Sequence, residues 1–279
     1  MLILHGSDLQ TGRPYRPHAA EAFLSLGRDL APDLVVLSGD LTQRAKAREY
    51  QTVRDFVAKV QAPLVITPGN HDVPLYRIWE RLVSPYGKWR RFMSEELDSV
   101  TRLAGATVVA LNSSAPRRAI VGGRLDARQV AFARRALTAS AGSDVRILVT
   151  HHHFVVTPDG GGGHPLPRAG ELLRAFESMG VDLILGGHVH RTHLSTSRAL
   201  VPDPEGRPGI PLLACGTTAS SRGRPPEEGA NGLHVIRVDD RGVEVTPYRF
   251  DERSRHFDPG EPVGFPRWRL GAETAEDHR

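Results

Sequence analysis

A chain of 279 residues, 39% hydrophobic and 24% charged, has the balance of an ordinary globular protein. It is long enough for one large α/β domain with a proper core, or for two small ones. No stretch approaches the roughly 20 apolar residues of a membrane span, residues 1–8 lack the basic and long apolar segments of a signal peptide, and the single Cys215 excludes an intrachain disulfide and fits a reducing compartment. A cytoplasmic protein is therefore expected. The formal charge is +4 with 13 histidines uncounted, and lysine occurs only as Lys46, Lys59 and Lys88, so the cations are almost all arginine. A basic surface suits anionic ligands such as phosphates. Yet Arg44, Arg48 and Arg54, like Arg128, Arg134 and Arg135, have the spacing of solvated helix faces, and there is no dense basic run or RNA-binding aromatic pattern.

Residues 2–5 read as a buried strand with Ser7, Asp8, Leu9 and Gln10 beyond its end. Residues 18–30 carry apolar side chains at helical spacing (Ala19, Phe23, Leu26, Leu30) and stop before Pro32. A strand over 33–37 ends in Ser38, Gly39 and Asp40, a helix follows over 44–60, and a strand over 64–67 runs into Pro68, Gly69, Asn70, His71 and Asp72. This strand–helix alternation implies a parallel sheet, in which ligands bind at the carboxyl ends of the strands. Residues 73–105 concentrate Tyr76, Trp79, Tyr86, Trp89 and Phe92, as a lid or substrate wall or as an amphipathic helical pair packed on the domain.

A strand over 107–111 and a helix over 126–137, with Asp126 as its cap, come next. The strand over 145–150 ends in His151, His152 and His153. Glycines 160–163 form a loop near that strand end, and no Lys-Ser/Thr pair follows them as in a phosphate-binding loop of the Walker type. A helix over 168–179 and a strand over 181–185 lead to Gly186, Gly187, His188, Val189 and His190. Short strands over 193–197, 210–214, 233–238 and 243–250 suggest a second, partly antiparallel sheet packed on the first.

Strand ends thus offer Asp8, Asp40, Asn70 with His71, His151, and His188 with His190. Carboxylate oxygens and imidazoles at one sheet edge are the donors of a site for two divalent transition metals. Each alone is unremarkable; their joint occurrence in this order is specific.

The series Ser7-Asp8-Leu9-Gln10, Gly39-Asp40, Gly69-Asn70-His71-Asp72, His151-His152 and Gly187-His188-Val189-His190 resembles the calcineurin-like metallophosphoesterases. Within them it is most similar to single-domain bacterial phosphodiesterases of cyclic nucleotides and glycerophosphodiesters. The resemblance covers residues 1–250 and leaves 251–279 as a C-terminal extension, partly disordered. It implies an α/β, four-layer αββα sandwich with mixed sheets, and two divalent metal ions, Mn²⁺ or Fe²⁺ first and Zn²⁺ or Mg²⁺ after them. By position, Asp40 would bridge the metals, Asp8 and His190 would hold the first, and Asn70, His151 and His188 the second. The first motif of the family runs Asp-x-His, and Gln10 stands where the histidine is expected; its neutral amide weakens the first site or turns it towards Mn²⁺ or Mg²⁺. His71 resembles the non-ligand histidine that stabilises charge on the phosphoryl and leaving oxygens, oriented by Asp72. The resemblance further implies a bridging hydroxide that attacks phosphorus, from metals roughly 3.5–4 Å apart.

His152 competes with His151 as a ligand, His153 and His193 are candidates for the pocket wall, Arg191 for a phosphate contact, and His5 reads as a core residue. The expected substrate is a small phosphodiester, a cyclic nucleotide or glycerophosphodiester. Nucleic acid is allowed by the chemistry but not favoured, because no DNA-recognition region is evident. A phosphomonoesterase with the same site and a non-catalytic scaffold are the alternatives. No membrane partner is expected, and these motifs do not encode an oligomeric state.

Overall fold

The computed structural model describes residues 1–118, 121–142, 144–157 and 163–267. Residues 158–162 of the glycine loop, and residues 268–279, where disorder is expected from the sequence, lie outside the described residues. The first sheet holds β1 (Leu2–Gly6), β2 (Leu34–Leu37) and β3 (Leu64–Ile66), joined by α1 (Pro17–Leu30) and α2 (Ala47–Val57). These three strands run parallel. Then come α3 (Ile78–Val83), α4 (Gly87–Phe92), β4 (Ser99–Leu103), β5 (Ala106–Ala110), α5 (Ala127–Thr138), β6 (Val145–Val149), α6 (Ala169–Ser178), β7 (Leu183–Gly186), β8 (His193–Thr196) and β9 (Pro211–Ala214). The second sheet has the order β4-β5-β6-β7-β9-β8, parallel through its middle and antiparallel at both edges.

β10 (Gly232–Val238), β11 (Gly242–Asp251), β12 (His256–Pro259) and β13 (Val263–Pro266) complete the chain. β10 inserts antiparallel beside β1, and β11 extends the first sheet beyond it. The four late strands therefore do not form one meander sheet, as the sequence suggests. Two of them, β8 and β9, edge the second sheet, and two widen the first. The stretch after Asp251 returns onto β11 as β12 and β13.

Period-two burial explains the layers. Ile3, Leu34, Val36 and Val65 of the first sheet meet Val108, Ile147, Val149, Leu183 and Leu185 of the second. Their neighbours Leu4, Val35 and Leu37 face outwards onto Phe23 of α1 and Tyr50, Val53 and Phe56 of α2. On the far side Val109, Leu148, Ile184 and Leu212 pack under Leu137 of α5 and Leu173 and Phe176 of α6. The result is an αββα sandwich. Each such buried side chain contributes about 1.5–3 kcal/mol of transfer free energy, so the central strands are gripped on both faces. The expected cap forms, with Asp126 accepting from the backbone of Arg128 and Gln129.

The aromatic segment divides. Trp89 of α4 is buried against the first core, whereas Trp79 of α3 is 82% exposed. β4 within it is half-buried and polar, which is why no strand pattern marks it in the sequence. Among the described residues no helix is long and apolar enough to cross a membrane.

Candidate metal centre

The parallel strands of both sheets deliver their carboxyl ends to one edge. Beyond them the backbone of Asp8, Gln10, Asp40, His188 and His190 turns left-handed, with φ of 53°, 46°, 51°, 74° and 58°. Non-glycine residues there cost on the order of 1–3 kcal/mol each. Five together, all buried and polar, mark a place where side-chain direction outranks backbone comfort. Close approach also fixes two glycines: a Cβ on Gly69 would strike the Asp40 carboxylate, and one on Gly187 the Ser7 hydroxyl.

Each donor is held so that one atom stays free. Asp8 Oδ2 accepts from Ser7 Oγ at 2.7 Å and from the His188 amide at 3.1 Å, while Oδ1 lies 3.1 Å from His190 Nε2. Asp40 Oδ1 accepts from the His71 amide at 2.8 Å and stands 3.3 Å from His151 Nε2. Carbonyls take the other imidazole nitrogens, Ser38 O from His151 Nδ1 at 2.8 Å and Arg222 O from His190 Nδ1 at 3.0 Å. This leaves each Nε2 as the lone pair, the arrangement of metal-ligating histidines. His188 Nδ1 meets Asn70 Oδ1 at 3.0 Å.

Asp8, Asp40 and His190 each offer one donor atom, all within 4.8 Å of one another. Asp8 Oδ1, Asp40 Oδ2 and His151 Nε2 are buried without a hydrogen-bond partner, at a cost of about 1–3 kcal/mol each unless a cation takes them. Burial raises both carboxyls, but the charge of His190 on Asp8, and of His151 and His71 on Asp40, carries them below the ordinary range, Asp40 well below. Burial also disfavours the charged form of His151, yet Asp40 overrides it and lifts that imidazole to about 9. The residues present fit a pair of divalent ions.

Other expected residues lie differently. Gln10 Oε1 accepts from Ser220 Oγ at 2.9 Å and its Nε2 faces His190 Nε2 at 3.2 Å, so the amide nitrogen, not the oxygen, points to the cluster. A flip of the amide reverses this without moving another heavy atom, since the serine hydroxyl donates or accepts. His152 is no rival ligand, because its nitrogens reach Ser113 Oγ at 2.8 Å and Val121 O at 3.1 Å. His153 stacks on His188, and burial presses its imidazole to about 4. Arg191 turns to the Pro225 carbonyl at 3.1 Å.

Asp72 does not orient the His71 ring, contrary to expectation. Its carboxylate accepts from the amides of Gly69, Leu41 and Thr42 at 2.9, 3.1 and 2.7 Å and ties the loops after β2 and β3 together. Burial and the Asp40 charge raise it to about 7 against the pull of those amides. The ring is set by Gln43 O, which accepts from Nδ1 at 2.8 Å. His71 Nε2 then faces Arg222 Nη1 at 3.1 Å and Asp40 Oδ2 at 4.0 Å. Arg222 escaped the sequence reading, although it lies in the loop beyond β9, a parallel strand whose carboxyl end belongs to the same edge.

Comparison with known proteins gives the family and the fold. Residues 1–192 match the family described as calcineurin-like phosphoesterase. A probable cyclic nucleotide phosphodiesterase of a Synechococcus species is 30% identical over 75% of this chain and 73% of its own. A cAMP/cGMP dual specificity phosphodiesterase of Mycobacterium tuberculosis is 26% identical over 75% of this chain and 64% of its own. Among solved structures, a dimetal phosphatase from Danio rerio superposes with a TM-score of 0.63 at 13% identity, over 96% of this chain and 99% of that one; at that identity the likeness carries the fold alone. Motif order, sandwich and donor set converge, and the chain belongs to the calcineurin-like phosphoesterases, hydrolases of phosphoric esters.

Proposed function

We propose that the chain is a metal-dependent phosphodiesterase whose substrate is a small phosphodiester, a cyclic nucleotide. The observation that carries this is the unpartnered Asp40 Oδ2, set among the donors of Asp8, His190 and His151 and facing the His71–Arg222 pair. The names of the relatives in Synechococcus and Mycobacterium tuberculosis support the substrate class. Asp8, Asp40 and His190 would hold one metal, with the Gln10 oxygen after its flip, and Asp40, Asn70, His151 and His188 the other. This mixture of hard oxygens and imidazoles suits Mn²⁺ or Fe²⁺ before Zn²⁺ or Mg²⁺. When bound, such a pair supplies an acidified water and neutralises charge on the phosphoryl oxygens.

The chain's own groups do the rest. Arg222 meets the phosphate as a charge-assisted donor. His71, fixed through Nδ1 by Gln43 O, presents Nε2 beside Arg222, where that nitrogen would pass a proton to the leaving ribose oxygen once Arg222 turns to the phosphate. Asp72 keeps the two loops in register. The lone buried Cys215 accords with a cytoplasmic, reducing setting.

The direct test is turnover of cyclic AMP, bis-p-nitrophenyl phosphate and p-nitrophenyl phosphate with added Mn²⁺. Faster cleavage of the two diesters is expected; preference for the monoester would make the protein a phosphomonoesterase. Arg222→Ala should lower kcat/KM about 10- to 100-fold, matching the roughly 1.5–3 kcal/mol of a charged hydrogen bond, and an unchanged value would remove Arg222 from substrate binding. Gln10→His should tighten the weaker metal by about tenfold or more, roughly 1.4 kcal/mol, because imidazole replaces a neutral amide. Unchanged affinity in a metal titration would mean that position 10 is not a ligand.

A further inference from the structure

A second cluster lies between the sheets, built from side chains other than those of the hydrolytic site. His5 on β1 stands directly opposite His234 on β10 in the antiparallel register, their rings 5.4 Å apart. Cys215 follows the last residue of β9 in the other sheet. All three side chains are fully buried, and one donor atom from each falls within 4.8 Å of the others.

The hydrogen bonding leaves at least one imidazole nitrogen unpartnered on each histidine. His5 Nε2 meets Ser38 Oγ at 2.9 Å, which spends that nitrogen on an anchor, and its Nδ1 has no partner. His234 has none at either nitrogen. Cys215 Sγ makes the weak contacts of a thiol, 3.7 Å to His5 O and 3.8 Å to Gly232 O. Burial keeps both imidazoles neutral, lowering His234 to about 4 and His5 well below its usual value, and the neutral form is the one that ligates. Unsatisfied buried polar atoms are rare in native interiors. Here each of two neighbouring imidazoles has an unpartnered nitrogen, and both rings lie beside a buried thiol.

We propose that His5, His234 and Cys215 form a third metal site, of two imidazoles and one thiolate, for a borderline-soft ion, Zn²⁺ or Cu⁺. Binding releases the thiol proton and replaces it with the metal–sulfur bond. Softness separates this site from the hydrolytic pair, since thiolate and imidazole select Zn²⁺ and Cu⁺ whereas carboxylate and amide oxygens favour harder ions. Cu⁺ with one thiolate gives a neutral buried cluster. Zn²⁺ leaves one positive charge, within reach of Asp8, whose field already acts on Cys215. Either ion would pin β1 and β10 of the first sheet to the end of β9 in the second, just before the loop that carries Ser220 and Arg222.

The test needs no knowledge of the substrate. Cys215 is the sole cysteine, so any thiolate-to-metal charge-transfer band must arise from it. Metal-free full-length protein titrated with Co²⁺ alone should develop that band in the near ultraviolet. The protein as isolated should contain one equivalent of zinc or copper beyond the ions of the hydrolytic site, and the element found distinguishes the two ions. Cys215→Ser and His234→Gln should each lose that equivalent while retaining the others, and Cys215→Ser should lose the band. Absence of the band in the unsubstituted protein, or a metal count that a folded Cys215→Ser leaves unchanged, would overturn the proposal. The spectrum of the unsubstituted chain decides even if a variant fails to fold.

Discussion

Asp40→Ala should strip the hydrolytic site of both metals and lower turnover by at least about a thousandfold, or roughly 4 kcal/mol of transition-state stabilisation. The expectation follows from what one carboxylate does. Its Oδ1 holds the His71 amide and approaches His151, and its Oδ2 is the buried, unpartnered atom of the cluster. Removing it takes away the main charge that raises His151, leaving only the weaker one of Asp8. Asp40→Asn is the control, because it preserves shape and the amide contact while deleting the charge. Elemental analysis of both variants, beside kcat/KM, separates loss of metal from loss of fold. Full metal content in Asp40→Ala would refute the bridging role.

His71→Ala should behave in the opposite way, keeping the metals and lowering kcat by about 10²–10³-fold, the usual contribution of a placed general acid. Its ring is tethered at Nδ1 to Gln43 O, and Nε2 faces Arg222 Nη1 at 3.1 Å. Nothing in that arrangement requires it to bind a metal. A substrate with a good leaving group, such as bis-p-nitrophenyl phosphate, should suffer less than cyclic AMP, because it needs no proton on departure. Loss of metal from this variant would make His71 a ligand instead of an acid.

The site edge was legible because buried parallel strands write themselves as continuous apolar runs. Leu34 to Leu37 gives way to Ser38 and Gly39, and Leu183 to Leu185 to Gly186 and Gly187, and the residues that follow fall at the carboxyl edge, where Asp40 and His188 stand. The pairing of the late strands was not legible. β10 joins β1 from the far end of the chain, and a strand pattern carries no address for a partner so distant. β4 was lost because a half-buried edge strand with Ser99, Thr101 and Arg102 has little alternation to detect. Asp72 misled through adjacency. It follows His71 in a short 3₁₀ turn, where successive side chains diverge, so its carboxylate reaches three backbone amides and not the neighbouring ring. Arg222 follows the reverse pattern, distant in sequence and 3.1 Å from His71 in space.

Metal dependence of diester hydrolysis tests the central claim most directly. The full chain, freed of metal by a chelator and dialysed, is assayed on cyclic AMP with increasing Mn²⁺ while bound metal is counted. Turnover absent from the stripped protein should return as the sites fill, reaching its maximum only when both hydrolytic ions are present. Cleavage by the metal-free protein, or full occupancy without any cleavage of cyclic AMP or of bis-p-nitrophenyl phosphate, would contradict it.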